Sequence, residues 1–258
     1  MLEENQIRVK SVKKTIDVLN AFLQQEDLGV TEIAEMIGLS KSNACDILTT
    51  LVALDFLGQD PDSEKYYLGV GAIRLARGVG RRYSFRNIAR PFMQRIADAE
   101  GHETSLTVPL NGEIFYLESV MPSKRGLYTP KKMHSFTCRM HCTAAGKCML
   151  AYLPREDVLR YLASGLEKYT DNTITSDAEF LRILDDVAKR GYALDRFEWS
   201  YDYGCIGVPL FTPSHKLIGA VSMNLGSDIE NEEKVLHVKD VLIEASSEIT
   251  DLMKSVTE

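Results

Sequence analysis

Apolar residues recur at helical spacing through the first fifty positions and then give way to short strand-like runs. Val12, Ile16, Leu19 and Leu23 place a stripe on a helix from Val9 to Leu23, with Lys10, Lys13 and Lys14 on its outer side. Thr31 is a good N-cap for a second, short helix whose stripe is Ile33, Ala34 and Ile37, and Gly38 stands where a left-handed residue would end it. Leu39 turns inward while Ser40 caps a third helix. There Ala44, Ile47, Leu48 and Leu51 share one face, which leaves Ser42, Asn43, Asp46, Thr49 and Thr50 on the other.

Two amphipathic helices joined by a glycine also describe an ordinary helical hairpin. The next dozen residues favour something more specific. Phe56 to Gln59 and Lys65 to Leu68 read as strands around the turn-forming Asp60 to Glu64, so the unit is a winged helix-turn-helix and points to duplex DNA. Ser42, Asn43, Asp46, Thr49 and Thr50 are then the candidates to reach base edges. Lys13, Lys14 and Lys41 are candidates for phosphate, helped by free amides at the helix start from Ser40 to Asn43.

Charge complicates that picture. The chain has a net charge of −7, and residues 1–86 carry eleven Lys and Arg against twelve Asp and Glu. Binding to phosphate must therefore rely on local placement, and non-specific affinity is expected to be modest and salt-sensitive.

The 258 residues, 45% apolar, suffice for two packed cores. We expect domains at 1–70 (winged helix-turn-helix) and 87–258, joined by a linker helix over 71–86. In the linker Val70, Ile73, Leu75 and Ala76 alternate with Arg74, Arg77, Arg81 and Arg82, and glycines make it breakable. A helix near Ile88 to Glu100 opens the second domain. Strands are expected at Thr104 to Pro109 and Glu113 to Val120, joined by the hairpin turn Asn111-Gly112, and at Leu127 to Tyr128, Phe136 to Arg139, Gly204 to Leu210 and Leu217 to Leu225. Helices are expected near Ala144 to Tyr152, Ala178 to Lys189 and from Lys234 onward. No apolar run reaches eighteen residues, the N-terminus is polar and the cysteines number five. These features fit a soluble, non-exported protein of the reducing cytoplasm, and no cofactor is expected.

Ser11 to Leu19, the helix-turn-helix, Tyr67-Leu-Gly69, Ala144-Ala-Gly-Lys147, Thr173-Ile174, Gly191-Tyr-Ala193 and Cys205-Ile-Gly-Val-Pro209 occur in an order that resembles the IclR family of bacterial transcription regulators. The resemblance spans nearly the whole chain. It implies an α/β two-domain protein with a GAF-like, effector-binding and oligomerising C-terminal domain, its helices packed on one side of the sheet around a concavity. It also implies a homodimer or a tetramer built as a dimer of dimers on a two-fold operator. One departure stands out: members of the family commonly carry arginine where this chain has Asp46, which can accept from cytosine N4 but repels phosphate.

An effector site can be argued from chemistry first. Thr143, Ala144 and Ala145 open a helix with small residues, so its free amides and dipole favour a carboxylate, although small residues also serve tight helix packing. The resemblance adds Asp195, Cys205, Ser222 and Asn224 as pocket residues. Asp195 would accept a hydroxyl proton, while Ser222 and Asn224 would donate to an oxygen. Met223 and Met133 add flexible volume, and Tyr128, Phe136 and Trp199 could favour a ring or belong to a core. An aliphatic hydroxy- or oxo-acid, a sugar acid and an aromatic acid all remain open, the first two ranked ahead because Asp195 needs a donor. Repression or activation depends on where the operator lies relative to its promoter.

Two other classes of function compete for some of these residues. His134, Cys138, His141, Cys142 and Cys148 could serve a metal- or thiol-based sensor, but along a strand His134 and Cys138 lie about 13 Å apart, too far to share an ion. Cys142 or Cys148 near a helix start could be a nucleophile with His141 as base. Adjacent strand residues point to opposite faces, however, which separates His141 from Cys142.

Overall fold

The computed structural model describes residues 7–79, 83–125 and 137–256, which fall into two units, the chain dividing between Ser84 and Phe85. In the first, α1 (Lys10–Ala21), α2 (Val30–Ile37) and α3 (Lys41–Ala53) enclose a core that includes Val18, Phe22, Ile33, Ala44 and Leu48. Gly38 takes the left-handed conformation (φ 69°) that ends α2, and Ser40 Oγ accepts the Asn43 amide at 3.3 Å to cap α3. Helix α2 starts earlier than its sequence suggests. Glu32 Oε2 accepts the Gly29 amide at 2.7 Å, so the reach-back carboxylate tethers the entry to the helix and Thr31 lies inside its first turn.

Helix α1 corrects the expected stripe. Val12 and Ile16 are 58% and 49% exposed and Leu23 is also exposed, Leu19 is half-buried, and Val18, Ala21 and Phe22 fill the core. This helix is apolar on two faces, and the face set by positions 18, 21 and 22 is the one that meets α2 and α3.

The wing is as expected: β1 (Leu57–Gln59) pairs antiparallel with β2 (Tyr66–Leu68), and Leu28 bridges to Tyr66. Its turn is tied by Asp60 Oδ1, which accepts from the amides of Ser63 at 2.7 Å and Asp62 at 3.1 Å. Helix α4 (Val70–Val79) begins at once after the wing. A Cβ at Gly69 or Gly71 would stand 2.4 or 2.8 Å from the Asp55 carbonyl oxygen, so these two glycines let the helix start lie against the turn after α3. Val70, Ile73 and Leu75 of α4 are exposed.

The second unit begins with α5 (Phe85–Glu100) and contains β3 (Glu103–Leu110), β4 (Glu113–Val120), β5 (Thr137–Arg139), α6 (Ala144–Ala151), α7 (Arg155–Leu162), α8 (Asp177–Arg190), β6 (Ala193–Arg196), β7 (Gly204–Phe211), β8 (Leu217–Asn224) and α9 (Glu232–Val256). The strands form one sheet in the order β5-β4-β3-β8-β7-β6, antiparallel throughout, with Asn111 and Gly112 both at positive φ in the β3–β4 turn. This is the GAF-like class of α/β domain. Helices cover both faces rather than one: α6 and α8 lie with Ala193 and Ala220 on one side, while α5 and α9 pack on the other. Two elements leave no clear mark in the sequence. Helix α7 is only eight residues long and half of them are charged, and β6 has only four residues, so neither gives a pattern long enough to read. The expected strand at Leu127 to Tyr128, along with Phe136, Met133, His134, Arg81 and Arg82, lies outside the described residues.

Side-chain alternation sets up the site. Asp195 faces Cys205 across β6 and β7, Cys205 faces Asn224 across β7 and β8, and Asn224 faces Glu103 across β8 and β3. Directly opposed residues share a face, so these four form one row across the sheet.

Candidate functional site

On α3 the apolar face is buried by Ala44, Leu48 and Leu51, which turns Lys41, Ser42, Asp46, Thr49 and Thr50 outward while Asn43 is half-buried. The hydroxyl of Thr50 donates to the Asp46 carbonyl at 2.7 Å, so it keeps only acceptor capacity toward a partner. Ser40 uses its oxygen on the cap. Lys13 reaches Asp17 at 2.6 Å on α1, and Lys14 is half-buried beside it. Cys45 is exposed on the same outer face as Lys41 and Thr49 and was missed, because cysteine is not a residue type associated with base reading. The wing tip carries Asp60, Asp62 and Glu64, which makes it acidic.

In the second unit the loop from Met140 to Thr143 delivers the chain to α6. Thr143 Oγ1 accepts the Gly146 amide at 3.1 Å, and a Cβ on Gly146 would meet the Met140 carbonyl oxygen at 2.1 Å, so this glycine serves packing. The backbone of Ala144 and Ala145 lies against Gly207 of β7, two residues along the strand from Cys205, and a Cβ on Gly207 would stand 3.1 Å from the Ala145 amide nitrogen. Thr143, Ala144 and Ala145 are thereby brought to the face of the sheet that carries Asp195, Cys205, Ser222 and Asn224.

The four sheet residues differ in availability. Asp195 is 1% exposed, and its carboxylate accepts the amides of Glu198 (2.7 Å) and Trp199, an arrangement that shapes the loop after β6. Burial pushes its pKa up to about 7, against the pull of Lys147. Lys147 is itself buried in an ion pair with Glu198, and Thr170 and Thr173 hold the backbone of the same loop by donating to the Phe197 and Glu198 carbonyls. Asn224 Oδ1 accepts the Gly226 amide at 3.0 Å. Cys205 keeps partial exposure, and burial drives its thiol pKa well up. Glu103, Tyr116, Tyr203 and Cys138 lie within electrostatic reach of it, with the Tyr203 ring 5.0 Å from the Trp199 ring. Sequence reasoning did not select Glu103, Lys147 or Glu198. Only the register brings Glu103 into the row, and only the fold brings positions 147 and 198 together.

The histidine and cysteine cluster is used otherwise. His141 Nδ1 lies 2.9 Å from the Tyr161 hydroxyl and Nε2 2.9 Å from the Glu167 carbonyl, so both ring nitrogens are engaged, and burial lowers its pKa. Cys142 donates toward the Arg139 carbonyl at 3.4 Å and Cys148 to that of Gly207 at 3.1 Å. Burial raises all three thiols, with Cys138 and Cys148 reaching about 12 and Cys142 also strongly raised. Such thiols are poor nucleophiles and poor metal ligands at neutral pH. Among the described residues no three His, Cys, Asp or Glu side chains could hold a metal ion. Strand β5 ends at Arg139, as expected, so His141 and Cys142 lie beyond the sheet strand. No helix among the described residues is long and apolar enough to cross a membrane.

Two family models match the chain, the IclR helix-turn-helix domain over residues 11–61 and the bacterial transcriptional regulator IclR C-terminal domain over residues 79–251. The HTH-type transcriptional regulator BhcR of Paracoccus denitrificans is 26% identical over 94% of this chain and 86% of its own. The crystal structure of an IclR transcriptional regulator from Alicyclobacillus acidocaldarius superposes with a TM-score of 0.83 at 26% identity, covering 96% of this chain and all of that one. A homologue from Microbacterium hydrocarbonoxydans, complexed with 4-hydroxybenzoate, shares the fold with a TM-score of 0.82 at 21% identity, covering 95% and 99% of the two chains. With a winged helix-turn-helix, a GAF-like second unit and family models matching both, this chain belongs to the IclR family of bacterial DNA-binding transcription regulators.

Proposed function

We propose that the chain binds a specific operator through α3 and that a small organic acid in the C-terminal unit modulates that binding. The observation that carries the first half is the outward face of α3, where Lys41, Ser42, Asn43, Asp46, Thr49 and Thr50 stand over a fully packed apolar face. Lys13, Lys14 and the first amides of α3, at Lys41 and Ser42, would serve phosphate. For the second half, the small-residue start of α6, lying against Gly207 of β7, supports a carboxylate guest held by Thr143, Ala144 and Ala145, with Asp195, Cys205, Ser222 and Asn224 on the same face of the sheet. The Microbacterium homologue is complexed with a small organic acid.

The division proposed is 1–70 for DNA, 71–86 as linker and 87–258 for the effector and assembly. Val9 before α1, Val12 and Ile16 on α1 and Val70 and Ile73 on α4 leave apolar side chains uncovered within one chain, which supports burial by a second copy and hence a dimer or dimer of dimers on a two-fold operator. The effector acts only through unequal affinity for the two arrangements of the wings.

Fluorescence anisotropy against the DNA upstream of the chain's own gene, with an unrelated duplex of equal length, tests the reading. Tight, sequence-dependent binding that a small acid changes is the expected result. Equal, weak binding to both duplexes that vanishes at moderate salt would overturn the operator assignment for that site.

A further inference from the structure

Glu103 is the member of the sheet row whose chemistry nothing in the chain consumes. Asp195, at the other end, spends its carboxylate on the Glu198 and Trp199 amides and is sealed from solvent. Glu103 keeps partial exposure, has no hydrogen-bond or ionic partner among the described residues, and has its pKa raised by burial alone. Strand register places it on the same face of the sheet as Asn224 and Cys205, within electrostatic reach of Tyr116 and Tyr203.

Its cross-strand neighbour completes a pattern. Asn224 Oδ1 accepts the Gly226 amide, and because a backbone N–H can only donate, the assignment of oxygen and nitrogen in this side chain is fixed. The Asn224 NH2 is thus a donor placed directly beside the Glu103 acceptor. A hydroxyl both donates and accepts, so one hydroxyl answers both groups. A ketone oxygen would leave Glu103 unanswered, an ammonium would leave the Asn224 NH2 unanswered, and a second carboxylate would be repelled.

We propose that Glu103 and Asn224 form a hydroxyl-reading pair in the effector site, so that the effector is an acid bearing a hydroxyl far from its carboxylate. The distance comes from the sheet: the α6 start lies over Gly207 of β7, while Glu103 is on β3 two strands away, about 10 Å across the sheet. This places the donor requirement on Glu103 instead of Asp195 and separates hydroxy-acids from oxo-acids. It rests on the reading of this face of the sheet, with the start of α6, as an acid-binding site.

The test is calorimetric titration of the full chain with two matched pairs, benzoate against 4-hydroxybenzoate and hexanoate against 6-hydroxyhexanoate, repeated with Glu103→Leu and Glu103→Gln. The expected result is that the hydroxylated member of at least one pair binds tenfold or more tightly, that this preference disappears in Glu103→Leu, and that Glu103→Gln, which still offers an acceptor, retains part of it. Thermal melting of the free variants checks that they fold. Equal affinity within both pairs in the native chain would overturn the hydroxyl-reading pair and leave the acid site standing. A preference that survives in Glu103→Leu would also overturn it, returning the role to Asp195. Binding of none of the four acids would overturn the acid site itself, and the pair with it.

Discussion

Lys147 on α6 and Glu198 in the loop after β6 form an ion pair from which water is excluded, with side chains 2% and 7% exposed. Glu198 Oε2 has no hydrogen-bond partner among the described residues, so the pair is not fully compensated. Removing one partner leaves a buried unpaired charge. We expect Lys147→Met to destabilise the C-terminal unit by about 3–5 kcal/mol, and the double variant with Glu198→Leu to recover much of that loss. Urea unfolding monitored through Trp199, the chain's single tryptophan and the neighbour of Glu198, reads both. Additive losses in the two single variants and the double would refute the coupling.

Asp195 sets a pH dependence of unusual sign. Its pKa rises on folding from the ordinary 3.8 to about 7, so the folded chain holds this proton where the unfolded chain has released it. The resulting cost is absent below about pH 4, grows as pH rises toward 7 and then levels at roughly 4 kcal/mol. Asp195→Asn keeps an acceptor for the Glu198 and Trp199 amides and removes the titration. Its melting temperature relative to the native chain should therefore be higher at pH 8 than at pH 5. A difference that is constant with pH would contradict this.

Thiol chemistry offers a direct view of α3. Cys45 is exposed, Cys205 is half-buried and Cys138, Cys142 and Cys148 are buried, with their reactivity suppressed further by raised pKa values. One thiol should react rapidly with an aromatic disulfide reagent, and Cys45→Ser should abolish that phase. If α3 enters the groove, operator DNA should slow the reaction at least tenfold while an equal mass of unrelated duplex does so less.

The acidic side chains near α3 should make themselves felt in salt titrations. Asp46→Asn is expected to raise affinity for any duplex severalfold by removing repulsion from phosphate. Lys41→Ala should weaken binding to all sequences and reduce the slope of log affinity against log salt by about 0.9, the signature of one lost phosphate contact. An unchanged slope in Lys41→Ala would place this lysine off the backbone.

The helix-turn-helix was legible because its signals are local. Gly38 and Ser40 mark a turn by their own backbone and side-chain chemistry, and the stripe of Ala44, Leu48 and Leu51 needs only one helix to be recognised. In α1 two apolar faces compete, and nothing within Val12 to Leu23 says which one meets α2 and α3. The second unit shows the other limit. Glu103 and Asn224 stand 121 positions apart and become neighbours only through strand register, while Asp195 looked free in sequence because its acceptors are taken by amides of its own loop. Strand edges such as Glu113 to Val120 could be read from alternation and the Asn111-Gly112 turn, whereas the partners of buried charges such as Lys147 could not.

The apolar surface on α1 and α4 has a consequence for regulation itself. With Ile16 and Ile73 covered by a second copy, as proposed, the species that occupies a two-fold operator is not the chain but the pair. When chains are scarce, occupancy then rises with the square of their number, and a twofold change in synthesis becomes a fourfold change in the reading species. Such a regulator would respond to its own gene dosage as a threshold device, even before any small molecule reaches the sheet.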